Sequence, residues 1–323
     1  MNNQLIPITV PTPYAIGPVH FYIYQKNDDL LLIDAGVDTE EAWRLFQDKL
    51  AECGYALSQL KAVLLTHHHV DHIGLVNRIS NIKDIPVYIH HNGIPRVTRD
   101  KDFLERRVSF FDALYKEMGC GQAGRDYFER AKRLLVENEH QKICADVVAI
   151  SEGDRIPGFE NLEIIETPGH APDHLAIYDR TNRWAFTGDL ILEHVSSNAF
   201  VEPDRHWQRM QTLRMHKESL LKARGLEAEV LYPGHGPFIG NPSQTINFRL
   251  DRMEQKLQRI LNVFEEGEWT AFELAKKIYP MEHKQQFTLV MSEIIGHLDV
   301  LEDENKIKKH LKEGIWRYSG EKS

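Results

Sequence analysis

Four short clusters in this chain hold seven side chains of the kinds that bind divalent metals. The densest is Thr66-His67-His68-His69-Val70-Asp71-His72, an H-x-H-x-D-H pattern with three imidazoles and a carboxylate within six residues. Neutral imidazole nitrogens and carboxylate oxygens suit zinc, and the same set accepts iron and manganese. The cluster follows Lys61-Ala62-Val63-Leu64-Leu65, which has the length and composition of a buried strand. In an extended segment residues i and i+2 face one way, so His67 and His69 can reach one ion together while His68 points away. Asp71 and His72 open the apolar-periodic stretch Ile73, Leu75, Val76, Ile79, and a turn into a helix there swings this second pair toward a different ion.

Three partners follow along the chain. Thr167-Pro168-Gly169-His170 comes after the strand-like Leu162–Glu166, Phe186-Thr187-Gly188-Asp189 after Arg183-Trp184-Ala185, and Tyr232-Pro233-Gly234-His235-Gly236 after Glu229-Val230-Leu231. Each repeats one layout: a short strand, a glycine that allows a tight turn, then one ligand-type residue. A ligand at the end of a buried strand is how a rigid scaffold presents a preorganised site. His90, His91, His194, His206 and His216 lack any such spacing and read as surface or packing residues.

The order HxHxDH, GH, GD, GH resembles the metallo-β-lactamase superfamily of binuclear metallohydrolases. Leu30-Leu31-Leu32-Ile33-Asp34-Ala35-Gly36 is similar to that family's second strand and D-x-G turn. Pro11-Thr12-Pro13 and Gly17-Pro18-Val19 resemble the opening strands of its glyoxalase II-like and lactamase-β-2-like branches. By position, the resemblance implies one metal on His67, His69 and His170. It implies a second on Asp71, His72 and His235, with Asp189 bridging both and Asp34 orienting a ligand without binding metal. A shared anion is what two cations roughly 3.5–4 Å apart require. His170 is preferred over His174 because it directly follows Thr-Pro-Gly, and Asp173 stands where many relatives carry glycine. Redox di-iron relatives place Glu at the position of His69, one β-lactamase subclass places Cys at that of Asp189, and single-iron persulfide dioxygenases lack part of the second set. Hydrolysis at a two-metal centre is the chemistry left.

The elements that must position these residues belong to an ordinary enzyme-sized chain: 323 residues, 42% hydrophobic, net charge −9. No apolar run spans a bilayer, Met1-Asn2-Asn3-Gln4 does not open a secretory signal, and Cys53, Cys120 and Cys144 form no CxxC pair, so a cytoplasmic protein with reduced thiols is expected. The acidic balance argues against general nucleic-acid affinity. Between about residues 95 and 147, helical periodicity over Asp102–Met118 and Gly124–Glu137 flanks Gly119-Cys120-Gly121. This inserted hairpin has two readings, a substrate cap or a packing element that could form a homodimer.

From residue 246 the pattern is a helix over Asn247–Phe264, a capping box at Thr270–Glu273, a helix near Gln285–Leu301, and a hairpin around Lys312-Glu313. Helix, helix, hairpin resembles the winged-helix module of the lactamase-β-2-like branch. Trp269–Ser323 holds nine Lys and Arg against nine Asp and Glu, unlike a phosphate-gripping surface.

The expectation is an α/β protein with a four-layer αβ/βα sandwich over residues 1–245 and a linker helix plus winged-helix-like domain over 246–323. It should be a hydrolase with two divalent ions, zinc first and iron or manganese as alternatives, acting on a small-molecule thioester, ester or lactone. In that reading a hydroxide between the metals attacks the carbonyl, and Asp71 accepts a proton as the tetrahedral species collapses. Two other readings stay open: a phosphodiesterase cutting single-stranded RNA, and a nucleic-acid-binding regulator with structural metals.

Overall fold

The structure, a computed structural model, describes residues 4–321. One sheet has the order β1 (Gln4–Val10), β2 (Val19–Lys26), β3 (Asp29–Ile33), β4 (Leu60–Leu64), β5 (Val87–His90), β6 (Val147–Ile150). Its first three strands pair antiparallel and the rest parallel. The second sheet comprises β7 (Leu162–Glu166), β8 (Leu175–Asp179), β9 (Trp184–Gly188) and β10 (Val230–Pro233), with only β9 and β10 parallel. Along β3, Leu30 and Leu32 face one way and Leu31 and Ile33 the other, the period of two expected of a strand buried on both faces.

That alternation separates the layers. Leu30 and Leu32 pack with Ala42, Phe46 and Leu50 of α1 (Glu40–Glu52). After the short α2 (Val70–Ile73), Val76 and Ile79 of α3 (Val76–Ile82) join the same layer. Between the sheets, Tyr22, Tyr24, Leu31 and Ile33 meet Ile164, Leu175, Ile177 and Phe186. The outer face of the second sheet packs Tyr178, Ala185 and Leu231 against α7 (Thr212–Gly225) and α8 (Pro242–Val263). Four layers, helix–sheet–sheet–helix, result.

The insertion begins with α4 (Ile94–Val97) and forms a hairpin of α5 (Lys101–Glu117) and α6 (Gly121–Glu137). Asp100 caps α5 by accepting the Phe103 amide. Beyond α8 come α9 (Ala271–Ile278), α10 (Glu282–Gln285), α11 (Phe287–Asp303) and the hairpin β11 (Ile307–Lys312) and β12 (Ile315–Gly320). The capping box is present: the Thr270 hydroxyl accepts the Glu273 amide and the Glu273 carboxylate accepts the Thr270 amide. An isolated antiparallel bridge between Trp269 and Tyr318 ties the segment before α9 to the hairpin. Helix, helix and hairpin therefore occur in the expected order.

The insertion and the C-terminal segment share one apolar core. Phe111, Leu114, Tyr115 and Met118 of the hairpin are buried against Leu257 and Ile260 of α8, Leu274 of α9 and Ile294 of α11. Among the described residues no helix is long and apolar enough to cross a membrane, and Cys53, Cys120 and Cys144 are free thiols.

Candidate metal centre

All four ligand clusters leave the C-terminal ends of strands and meet at one edge of the paired sheets. β4 ends at Leu64, His69 keeps an extended backbone (φ −64°, ψ 146°), and α2 then turns Asp71 and His72 away. The sheets are tied at this edge: the His20 amide donates to the Gly234 carbonyl (2.7 Å) and the Leu175 amide to that of Thr66 (2.8 Å). Glycine is required at two of the turns. A Cβ on Gly234 would collide with the Asp189 carboxylate and the His72 ring, and one on Gly169 (φ +139°) with the backbone of His216.

The structure brings the seven predicted residues together in two groups. His67, His69, His170 and Asp189 form one, and Asp71, His72 and His235 the other. His67 Nε2 and His170 Nε2 lie 3.0 and 3.1 Å from His69 Nδ1. Asp189 spans the groups: Oδ1 is 3.5 Å from His72 Nε2, and Oδ2 is 3.6 and 3.7 Å from the Nε2 atoms of His170 and His235. His235 Nε2 is 3.4 Å from Asp71 Oδ2. His69 and Asp71 are partly exposed and the other five are buried, which leaves one open side.

Surrounding groups fix which nitrogen of each ring is free. His235 Nδ1 donates to the Pro18 carbonyl (2.8 Å) and His170 Nδ1 to the Asn198 carbonyl (2.9 Å). His72 Nδ1 donates to Asp34 Oδ2 (2.8 Å), and Asp34 also accepts the Thr66 amide (2.7 Å) and hydroxyl (2.9 Å). With the Thr66 proton so committed, His67 Nδ1 donates to Thr66 Oγ1 (3.0 Å). With a cation bound, each ring would turn an Nε2 lone pair inward. His69 has at most one proton on Nδ1 for two inward lone pairs. Among the described residues His72 Nε2, His235 Nε2 and Asp189 Oδ1 are buried without a hydrogen-bond partner. Buried orphans of this sort cost about 1–3 kcal/mol each unless something satisfies them, and cations fit this donor set. Burial, then neighbouring imidazoles, hold His67 and His69 well below the usual histidine range, which keeps them neutral and able to ligate. Burial opposes ionisation of Asp189, yet His72, His170 and His235 hold its carboxyl far below its ordinary value.

Comparison with known proteins agrees with this geometry. The family described as "Metallo-beta-lactamase superfamily" matches residues 15–235. The chain is 34% identical over 313 residues to the "Probable metallo-hydrolase YqjP" of Bacillus subtilis, covering 96% of this chain and 95% of that one. The chain belongs to the metallo-β-lactamase superfamily. A metallo-beta-lactamase family protein of Thermus thermophilus superposes with a TM-score of 0.78 at 25% identity, covering 98% of both chains. An "Atrochrysone carboxyl ACP thioesterase" of Aspergillus fumigatus is 25% identical over 251 residues, 78% of this chain and 61% of that one. The protein is a metallo-hydrolase of this superfamily with a His/Asp group able to bind metal.

Several residues around the superfamily's characteristic site have roles the spacing did not reveal. His174, weighed as a rival of His170, uses both nitrogens elsewhere: Nε2 accepts the Asp189 amide (3.1 Å) and Nδ1 bonds Thr167 Oγ1 (2.8 Å). It holds Asp189 in place. Asp173 is fully buried, bonds His68 Nδ1 at 2.6 Å, and packs where a side chain on Gly93 would collide with it. His68 thus does point away from the ligands. Arg96, Arg107 and Glu202 form a buried ion cluster, with Arg96 Nη2 and Arg107 Nε each 2.9 Å from Glu202 Oε2. Their separation of about a hundred residues gave no signal.

Beside His69 opens a cavity of about 320 Å³, walled by Phe200 and by Phe111, Tyr115 and Tyr127 of the hairpin. Phe200 stands edge-on to both His69 and His170, with ring centroids 5.6 and 5.4 Å away. Phe110 instead lines a separate cavity together with Trp316 and Arg209. The two readings of the hairpin are not exclusive: its aromatic face both lines the site and belongs to the C-terminal core.

Proposed function

We propose that the protein is a binuclear metal-dependent hydrolase of thioesters, esters or lactones, with zinc as the first candidate metal and iron or manganese as alternatives. His67, His69 and His170 would hold one cation and Asp71, His72 and His235 the other, with Asp189 shared. The observation that carries this reading is Asp189, whose two oxygens lie within 3.7 Å of histidines from both groups while Oδ1 has no hydrogen-bond partner among the described residues. When bound, such a pair supplies an acidified water as nucleophile and offsets the charge that develops on the carbonyl oxygen. Asp34, Pro18 and Asn198 keep the ring tautomers correct, and Phe200 shields the imidazoles from bulk water. Asp71, on the open side, is placed to take up a proton as the tetrahedral species collapses. The aromatic wall beside His69 suits an apolar acyl group, and the thioesterase of Aspergillus fumigatus is similar over 78% of this chain.

Elemental analysis of protein purified without chelator, together with a panel of thioesters, lactones and phosphodiesters, tests the proposal. Close to two ions per chain are expected, with His170→Ala and Asp189→Ala each lowering that number and abolishing hydrolysis. Full turnover with a single ion would sink the two-metal reading.

A further inference from the structure

A second space adjoins the site. It is a cleft of about 1100 Å³ between α6 and the segment around α10, and it shares Arg99, Leu104, Arg107, Tyr127 and Thr288 with the cavity beside His69. Tyr14 lines it as well. The cleft is thus continuous with the cavity beside His69.

Its charge is opposite to that of the molecule. The chain carries 39 Lys and Arg against 48 Asp and Glu, yet Arg99, Arg107, Arg130 and Lys284 line the cleft with one carboxylate, Asp126, among its walls. Two of the cations are held in place. Arg107 is clamped by Glu202, and Arg99 donates to the Leu135 carbonyl at the end of α6 (2.9 Å). The other two, Arg130 on α6 and Lys284 on α10, are exposed and form no ion pair among the described residues. A cleft whose walls carry mainly one sign of charge concentrates ligands of the other.

We infer that the substrate carries an anionic group, phosphate or carboxylate, remote from the bond that is cut, and that Arg130 and Lys284 receive it across this cleft. The inference rests on the hydrolase reading for its reaction but not for its test, which measures binding. Ring-lined space near His69 takes the apolar acyl part, and the charged end lies between the insertion and the C-terminal segment. Arg130 and Lys284 are specificity residues in this arrangement and touch no reacting atom.

The probes are coenzyme A (phosphates), glutathione (carboxylates) and N-acetylcysteamine (uncharged), titrated calorimetrically into the full chain at low and high salt. Coenzyme A should bind with salt-sensitive affinity and N-acetylcysteamine should not. Arg130→Glu with Lys284→Glu should weaken coenzyme A by about tenfold or more, and Lys284→Glu alone by less, with unchanged circular dichroism. Tighter binding of coenzyme A than glutathione identifies phosphate as the anion, and equal binding shows that carboxylate suffices. Unchanged affinity after charge reversal, or no binding of either anion, overturns the inference. So does a short single-stranded RNA that binds more tightly than coenzyme A, since the cleft would then serve a nucleic acid. Anion binding without thioester hydrolysis would leave this inference standing and remove the proposed function; hydrolysis indifferent to the thiol's charge would do the reverse.

Discussion

At the residue scale, the proposed ligand set depends on neighbours that would not themselves reach a metal. Asp34 sits in the left-handed region (φ +58°), which aspartate and asparagine tolerate better than most residues. From there its two oxygens take the Thr66 amide, the Thr66 hydroxyl and His72 Nδ1. Asp34→Asn keeps the backbone conformation and the shape but replaces one acceptor oxygen with a donor. One of those three bonds must then break, and the His72 ring loses its anchor. Metal affinity should fall about tenfold to a hundredfold, the usual cost of removing such a support, measured by competition with a chromogenic chelator. An affinity equal to the parent's would show that α2 alone orients His72. Asp34 was legible in the sequence through its D-x-G turn. Thr66 and His174 were not, because hydroxyl and imidazole support roles follow no fixed spacing and are defined only by which ligand happens to be adjacent in space.

At the scale of elements, the inserted hairpin has two duties. Phe111 and Tyr115 are almost fully buried, pack with α9 and α11, and face the cavity beside His69. Phe111→Ala should therefore lower stability by about 3–5 kcal/mol, the range for large aromatic truncation in a core, as read by denaturant unfolding. The milder Phe111→Leu should leave enough folded protein to show a raised KM for an apolar acyl thioester. Phe110→Ala, on a side chain that lines a separate cavity with Trp316, should leave that KM near the parent value. A cap with no packing role would show the KM effect without the stability loss. The helical period over Asp102–Met118 located α5 to within a residue or so, since an apolar stripe is written in one stretch of chain. What that stripe packs against was not readable. It needed knowledge that residues 257–318 return to cover it, and such long-range pairing leaves no local pattern.

For the whole molecule, the same limit applies to charge. A net −9 gave no hint of a cationic cleft, nor of the buried cluster that joins the insertion to the sandwich. In that cluster Glu202, at 4% exposure, ties Arg107 of α5 to Arg96 of α4. Burial by itself would raise the Glu202 carboxyl, but Arg107 and Arg96 bring it down to about 2 from an ordinary 4.5. A carboxyl depressed on folding contributes stability that is fully present above the unfolded value and is lost as pH falls through the folded one. The Glu202 contribution should therefore be intact at pH 7 and disappear between about pH 4.5 and 2. Glu202→Gln removes the charge at every pH and leaves two guanidinium groups without their anion, a loss of about 3–5 kcal/mol near neutrality. Unfolding of both proteins, stripped of metal so that the histidine site does not intrude, should show that gap at pH 7. As the parent's own Glu202 protonates, the gap should narrow steadily below about pH 4. A difference that stays constant from pH 7 to pH 3 would mean that Glu202 joins the two parts of the molecule by shape and hydrogen bonding rather than by its charge.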